Sequence, residues 1–84
     1  MQTEYTNLVE LTDLQKKVMV YIQDWARNKK TLVPQKAVVK QMKLEGMKEA
    51  TILNILNVLQ TNYYIRRACT GAQNRTFYVQ LRTI

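Results

Sequence analysis

The chain contains no histidine and a single cysteine, Cys69. Without histidine, and with only six scattered carboxylates, neither a zinc site nor a nucleophile–base pair can be assembled. Glu45 and Glu49 are the closest acidic pair, and they are expected to balance nearby lysines rather than hold metal. One thiol excludes an internal disulfide framework and fits a reducing compartment. Cys69 itself is expected to be a small packing residue late in a strand. Glycine is scarce too, at Gly46 and Gly71 only. The chain therefore has no phosphate-cradling loop and no dinucleotide fingerprint. No apolar run approaches the ~18 residues of a membrane span. The opening MQTEYTNLVE has no basic segment followed by an apolar one, so no secretory leader is expected. These absences point away from an enzyme, a metal and a cofactor. They make a cytoplasmic protein without membrane contact the expectation.

What is present is positive charge, unevenly placed. Net charge is +7 over 84 residues, a length that suits one domain. Residues 1–26 set two lysines against four carboxylates, a balance of −2. Residues 27–84 set eleven basic residues against two acidic ones, a balance of +9. A basic two-thirds behind a near-neutral first helix suggests a polyanionic partner. The plain alternative is a basic surface that serves solubility alone.

Residues 1–10 lack periodicity and are expected to form a flexible arm, with Tyr5 or Leu8 able to dock on a body spanning 11–84. A first helix should begin at a capping box made by Thr12 and Gln15, with Leu11 as a hydrophobic staple. Leu14, Val18, Tyr21, Ile22 and Trp25 recur at helical spacing and form the expected buried stripe. Lys16, Lys17, Gln23, Asp24 and Arg27 should face water. A second helix starts at Pro34, with Ala37, Val38 and Met42 inward. Val39 and Leu44 are candidates to extend that face. Lys36, Lys40 and Lys43 share one side, either as a solvated face or as a row of phosphate contacts. Glu45-Gly46 is the turn, where glycine supplies a positive φ.

The third helix runs from Met47 to Thr61, with Ile52, Ile55, Leu56 and Leu59 as its core stripe. Its polar positions include Lys48, Thr51, Asn54 and Asn57. Asn and Gln can read adenine edges, but past Lys48 this helix carries no cation. Leu53 and Val58 lie outside the stripe and could support a homodimer or another protein partner. Two strands follow, Tyr63 to Cys69 and Thr76 to Arg82, joined by a loop with Gly71 and Asn74 at its tip. Ile65 is the safest inward residue of the first strand. In the second, Phe77, Val79 and Leu81 alternate with Tyr78, Gln80 and Arg82, and the apolar three are expected to pack on the helices. The hairpin thus offers Tyr64, Tyr78, Arg66, Arg67, Arg75 and Arg82 within a small area. Aromatics interleaved with arginines suit a single strand, because rings stack on any base while cations follow the backbone. Half-buried tyrosines and edge-guarding arginines would give the same composition.

These elements predict a mainly α protein with a small β-hairpin: a winged helix-turn-helix of three helices and a two-stranded antiparallel wing. Leu11-Thr12-Asp13-Leu14-Gln15 with Val18, Tyr21 and Ile22, then Pro34, Thr51 to Leu59, and Tyr64-Ile65, resembles the winged-helix DNA-binding domain of LexA-type repressors over about residues 11–82. The resemblance implies that the third helix is the recognition helix. Tyr63 stands where that family usually has glycine, and Leu53 where it has a groove-facing polar residue. Small size, a poor recognition helix and a basic aromatic wing are also similar to the single-stranded-DNA-binding winged-helix proteins of staphylococcal cassette chromosome elements. That similarity implies a role beside element replication genes.

The candidate nucleic-acid contacts are Lys36, Lys40, Lys43, Lys48, Asn54, Tyr64, Arg66, Arg67, Arg75, Tyr78 and Arg82. Three functions compete. Single-stranded DNA binding through the wing is the leading expectation. A duplex-binding regulator would place Lys48, Thr51, Asn54 and Asn57 in the major groove. An interaction adaptor would use Leu53 and Val58.

Overall fold

In a computed structural model the structure describes residues 11–70 and 75–84. The expected arm at 1–10 and the loop tip with Gly71 and Asn74 lie outside the described residues. Among the described residues, three helices and a small three-stranded antiparallel sheet share one core. No helix among the described residues is long and apolar enough to cross a membrane.

Helix α1 spans Asp13–Lys29 and begins as expected. The Gln15 amide donates to Thr12 Oγ1 at 3.2 Å, and the Thr12 amide donates to Gln15 Oε1 at 3.0 Å. Two otherwise orphaned donors are thereby satisfied. Leu11 is buried beside this cap. The inward stripe differs from the expected one. Val18, Met19, Ile22 and Gln23 are buried, Tyr21 and Trp25 are half-buried, and Leu14 is exposed. The buried arc is thus rotated toward Met19 and Gln23. Gln23 is only 8% exposed because its Oε1 accepts from the Ile84 amide at 2.6 Å, which satisfies a polar group where water was expected. The helix ends with Lys30 in the left-handed region at φ 53, its amide donating to Ala26 O.

Strand β1 is Val33–Pro34, and α2, Gln35–Leu44, follows without a break. Pro34 therefore precedes the second helix as its cap and belongs to the sheet. Val38 and Met42 face the core as expected, and Leu44 is exposed. Gly46 turns the chain at φ +93, its amide donating to Lys43 O. That backbone conformation favours glycine. Met47 is buried in the turn, and α3 runs Glu49–Thr61, two residues later than expected. Ile52, Ile55, Leu56 and Leu59 are all buried, as the 3.6-residue period requires.

The chain leaves α3 through Asn62, Tyr63 and Tyr64. The Tyr63 amide donates to Gln60 O and the Tyr64 amide to Leu59 O, so the last carbonyls of the helix find partners. Tyr63 holds φ 62, in the left-handed region that side-chain-bearing residues seldom adopt.

Strand β2 spans Ile65–Thr70 and β3 spans Arg75–Gln80, antiparallel with Ile65 opposite Gln80 and Arg67 opposite Tyr78. The wing was expected to have two strands. Instead β1 pairs with the other edge of β3, Val33 opposite Tyr78 and Pro34 opposite Phe77, giving the order β1-β3-β2.

The facing of β3 is the reverse of the expected one. Tyr78 is 2% exposed and joins Val33 and Ile65 in the core. Phe77 and Val79 are only half-buried and Leu81 is exposed. Paired strand residues share a face, so Phe77, Val79, Ala68 and Pro34 lie together on the side away from Tyr78. Alternation favoured the more apolar set, Phe77, Val79 and Leu81, but the face that meets the helices is the one with Tyr78 and Ile65. The buried phenol is accommodated because Gln35 Nε2 donates to Tyr78 Oη at 3.0 Å.

Candidate nucleic-acid interface

The cations fall into two groups. On α2, Lys36 and Lys40 are exposed one turn apart. Lys43 follows, but its Nζ lies 2.9 Å from Glu49 Oε1 across the α2–α3 turn. Both partners are about half exposed, so that pair contributes little, on the order of 0–1 kcal/mol, and a phosphate could compete for the lysine. Lys17 and Glu45 make a similar exposed pair at 3.3 Å. Lys48 caps α3 and is exposed. Asn54 and Asn57, three residues apart and both exposed, share an open side of α3, with Leu53 at 39% exposure beside Asn54 in the chain.

The second group is on the hairpin. Arg66 and Arg67 are exposed and, as neighbours in a strand, point to opposite faces. Arg75 is exposed at the start of β3, opposite Thr70. Among the described residues none of these three arginines has an ion-pair partner. Arg67 nevertheless acts on the interior, since its charge lowers the Tyr78 pKa, opposing the burial that raises it.

At the base of the hairpin, Tyr64 is half-buried and packs on the core, with the Arg82 guanidinium 5.4 Å from its ring centroid. Leu81 and Arg82 amides both donate to Tyr64 O, at 2.8 and 3.2 Å, which holds the backbone after β3 against the turn before β2. Tyr63 is 70% exposed. The aromatic patch was expected from Tyr64 and Tyr78, and of the two only Tyr64 lies at the hairpin base, half-buried under Arg82.

Tyr78 does not belong to that patch. Its ring is enclosed by the core, where no base can reach it, so its expected stacking role is corrected by its burial. Phe77 was missed. It lines a cleft of about 360 Å³ with Pro34, Gln35, Lys36, Arg75 and Thr76. Only the strand register reveals this, because a period of two allows either face. Trp25 is half-buried against the core, its Nε1 donating to Thr31 Oγ1 at 3.1 Å and Lys29 lying 4.9 Å from its ring centroid. Cys69, four residues along β2 from buried Ile65, is exposed, contrary to its expected packing role. Among the described residues no three His, Cys, Asp or Glu side chains converge as metal ligands.

A scan against protein-family models and searches of curated proteins and of solved structures give no match to this chain.

Proposed function

We propose that this protein is a winged-helix module that binds nucleic acid, taking single-stranded DNA in preference to duplex and acting in the cytoplasm. The element order α1-β1-α2-α3-β2-β3 with sheet order β1-β3-β2 is compatible with that fold, β2 and β3 forming the wing. The observation that carries the reading is the hairpin itself. Arg66, Arg67 and Arg75 stand exposed on it without ion-pair partners among the described residues, and the open ring of Tyr63 lies in the turn that leads into its base. Cations that follow a backbone beside rings that stack on bases form a sequence-tolerant single-strand surface. Similarity in outline to the small winged-helix proteins of cassette chromosome elements adds service in the replication of a mobile element to the proposal.

The second reading is a duplex-binding regulator. Asn54 and Asn57, exposed on one side of α3 beyond Lys48, favour it. Major-groove reading also needs phosphate anchoring, which Lys36 and Lys40 would supply. A third reading, a homodimer or a replication-protein contact, would use exposed Leu53 and half-buried Val58 of α3.

Fluorescence anisotropy of one labelled 30-mer, single-stranded and then annealed, at two salt concentrations, separates these readings. The single strand is expected to bind more tightly, and the three hairpin arginines should give a log–log salt slope of about −2. Tighter binding to duplex would transfer the function to α3. Binding to neither would refute nucleic-acid binding.

A further inference from the structure

The inverted facing of β3 leaves an aromatic ring outside the core that alternation had assigned to it. Phe77 is half-buried, opposite Pro34 and Ala68 on the sheet face away from Tyr78. The cleft against it is walled by three elements: Pro34 of β1, Gln35 and Lys36 at the start of α2, and Arg75, Thr76 and Phe77 of β3. Its volume of about 360 Å³ sits at the small end of ligand pockets, which run ~300–1,000 Å³. No carboxylate lines it, and the first turn of α2 holds no acidic residue. Lys36 and Arg75 are both exposed, and neither has an ion-pair partner among the described residues.

We propose that this cleft is a subsite for one unpaired nucleotide, its base against the Phe77 ring and its flanking phosphates on Lys36 and Arg75. The assignment rests on the single-strand reading above and deepens it. An apolar wall with cations on two sides matches the amphipathic character of a nucleotide. A base paired in a duplex cannot enter a cleft of this size, so the subsite itself selects for single strands. It also joins the two groups of cations into one path, from the hairpin across Arg75 to Lys36 and along α2 to Lys40.

The test uses the whole chain and two labelled 12-mers, oligo-dT and an abasic strand of equal length, titrated by anisotropy. Phe77→Leu keeps an apolar side chain but removes the ring. It is expected to weaken oligo-dT binding about 5- to 150-fold, the loss of one stacked base, and to leave abasic-strand binding unchanged. Phe77→Tyr should restore oligo-dT binding. Lys36→Ala and Arg75→Ala, both at exposed positions, should each reduce the salt slope by about 0.7 on either strand. These two keep the test decisive if Phe77→Leu melts at the assay temperature. Wild-type affinity for oligo-dT in Phe77→Leu, or unchanged slopes in both cation variants, would overturn the subsite while single-strand binding by the wild type stands. Failure of the wild type to bind oligo-dT would remove the single-strand reading and the subsite together.

Discussion

Tyr78→Phe should lower stability without touching nucleic-acid binding, and Tyr78→Ala should come close to unfolding the protein. The ring is 2% exposed in a core shared with Val33 and Ile65, and its hydroxyl accepts one hydrogen bond from Gln35. Removing the hydroxyl loses a neutral hydrogen bond worth about 1 kcal/mol. Gln35 is only partly buried, so its amide can turn to water and adds little to the loss. For a domain of this size, 1 kcal/mol corresponds to a fall in melting temperature of about 4–8 °C. Truncation to alanine removes the whole ring, at a cost of about 3–5 kcal/mol. At ~0.05–0.15 kcal/mol per residue, 84 residues hold about 4–13 kcal/mol in total, so the alanine variant loses a large share of it.

A pH series adds a second signature. Burial raises the Tyr78 pKa above its ordinary value of 10.0, with the charge on Cys69 acting in the same direction and the Gln35 hydrogen bond and Arg67 opposing it. The folded state therefore holds this proton more tightly than the unfolded one. The stabilisation is complete below about pH 10 and is lost as pH rises through the higher folded value. Tyr21, also raised by burial, contributes with the same sign, so Tyr78→Phe should flatten the alkaline decline without abolishing it. Thermal melts by circular dichroism from pH 7 to 11 read both effects. A Tyr78→Ala protein that melts like wild type but binds oligonucleotides less well would place the ring on the open face and refute the observed facing of β3.

Two other substitutions test local backbone chemistry. Tyr63→Gly relieves a left-handed residue, gaining about 1–2 kcal/mol, against about 0.5–1 kcal/mol of added chain entropy; the melt should rise by a few degrees, and a fall would deny that the conformation is strained. Thr12→Ala removes the acceptor for the Gln15 amide and should cost about 1 kcal/mol by denaturant unfolding, with an unchanged midpoint arguing against the capping box.

Local signals were the ones that could be read from the chain. Thr12 and Gln15 lie three residues apart and need no tertiary partner to cap a helix. The α3 stripe has four apolar residues in register and only one way to turn them inward. Gly46 supplied the conformation its turn required. What escaped depended on distant partners. Val33–Pro34 is too short to signal a strand and is one only because β3 lies beside it. Gln23 looks like a surface residue until the Ile84 amide, 61 positions later, gives it a reason to be buried. On β3, alternation left the facing ambiguous: Phe77, Val79 and Leu81 are the more apolar set, yet Tyr78 is the buried residue, its hydroxyl partnered by Gln35 from a distant part of the chain. The same ambiguity hid the Phe77 cleft, while Lys36, Arg66, Arg67 and Arg75 are exposed as their charge required.

Strand β3 occupies the middle of the sheet although it comes after both of its neighbours in the chain. Among the described residues β1 and β2 pair only with β3. During synthesis, a nascent chain that has not yet reached Arg75 holds both strands with nothing to pair against, and Val33 and Ile65 with no Tyr78 to cover them. Helices α1, α2 and α3 can form as they emerge, since their hydrogen bonds are local. Closure of the core must wait for the final hairpin. A ribosome stalled before that point would present an open helical cluster with bare strand edges, the kind of surface on which chaperones and proteases act.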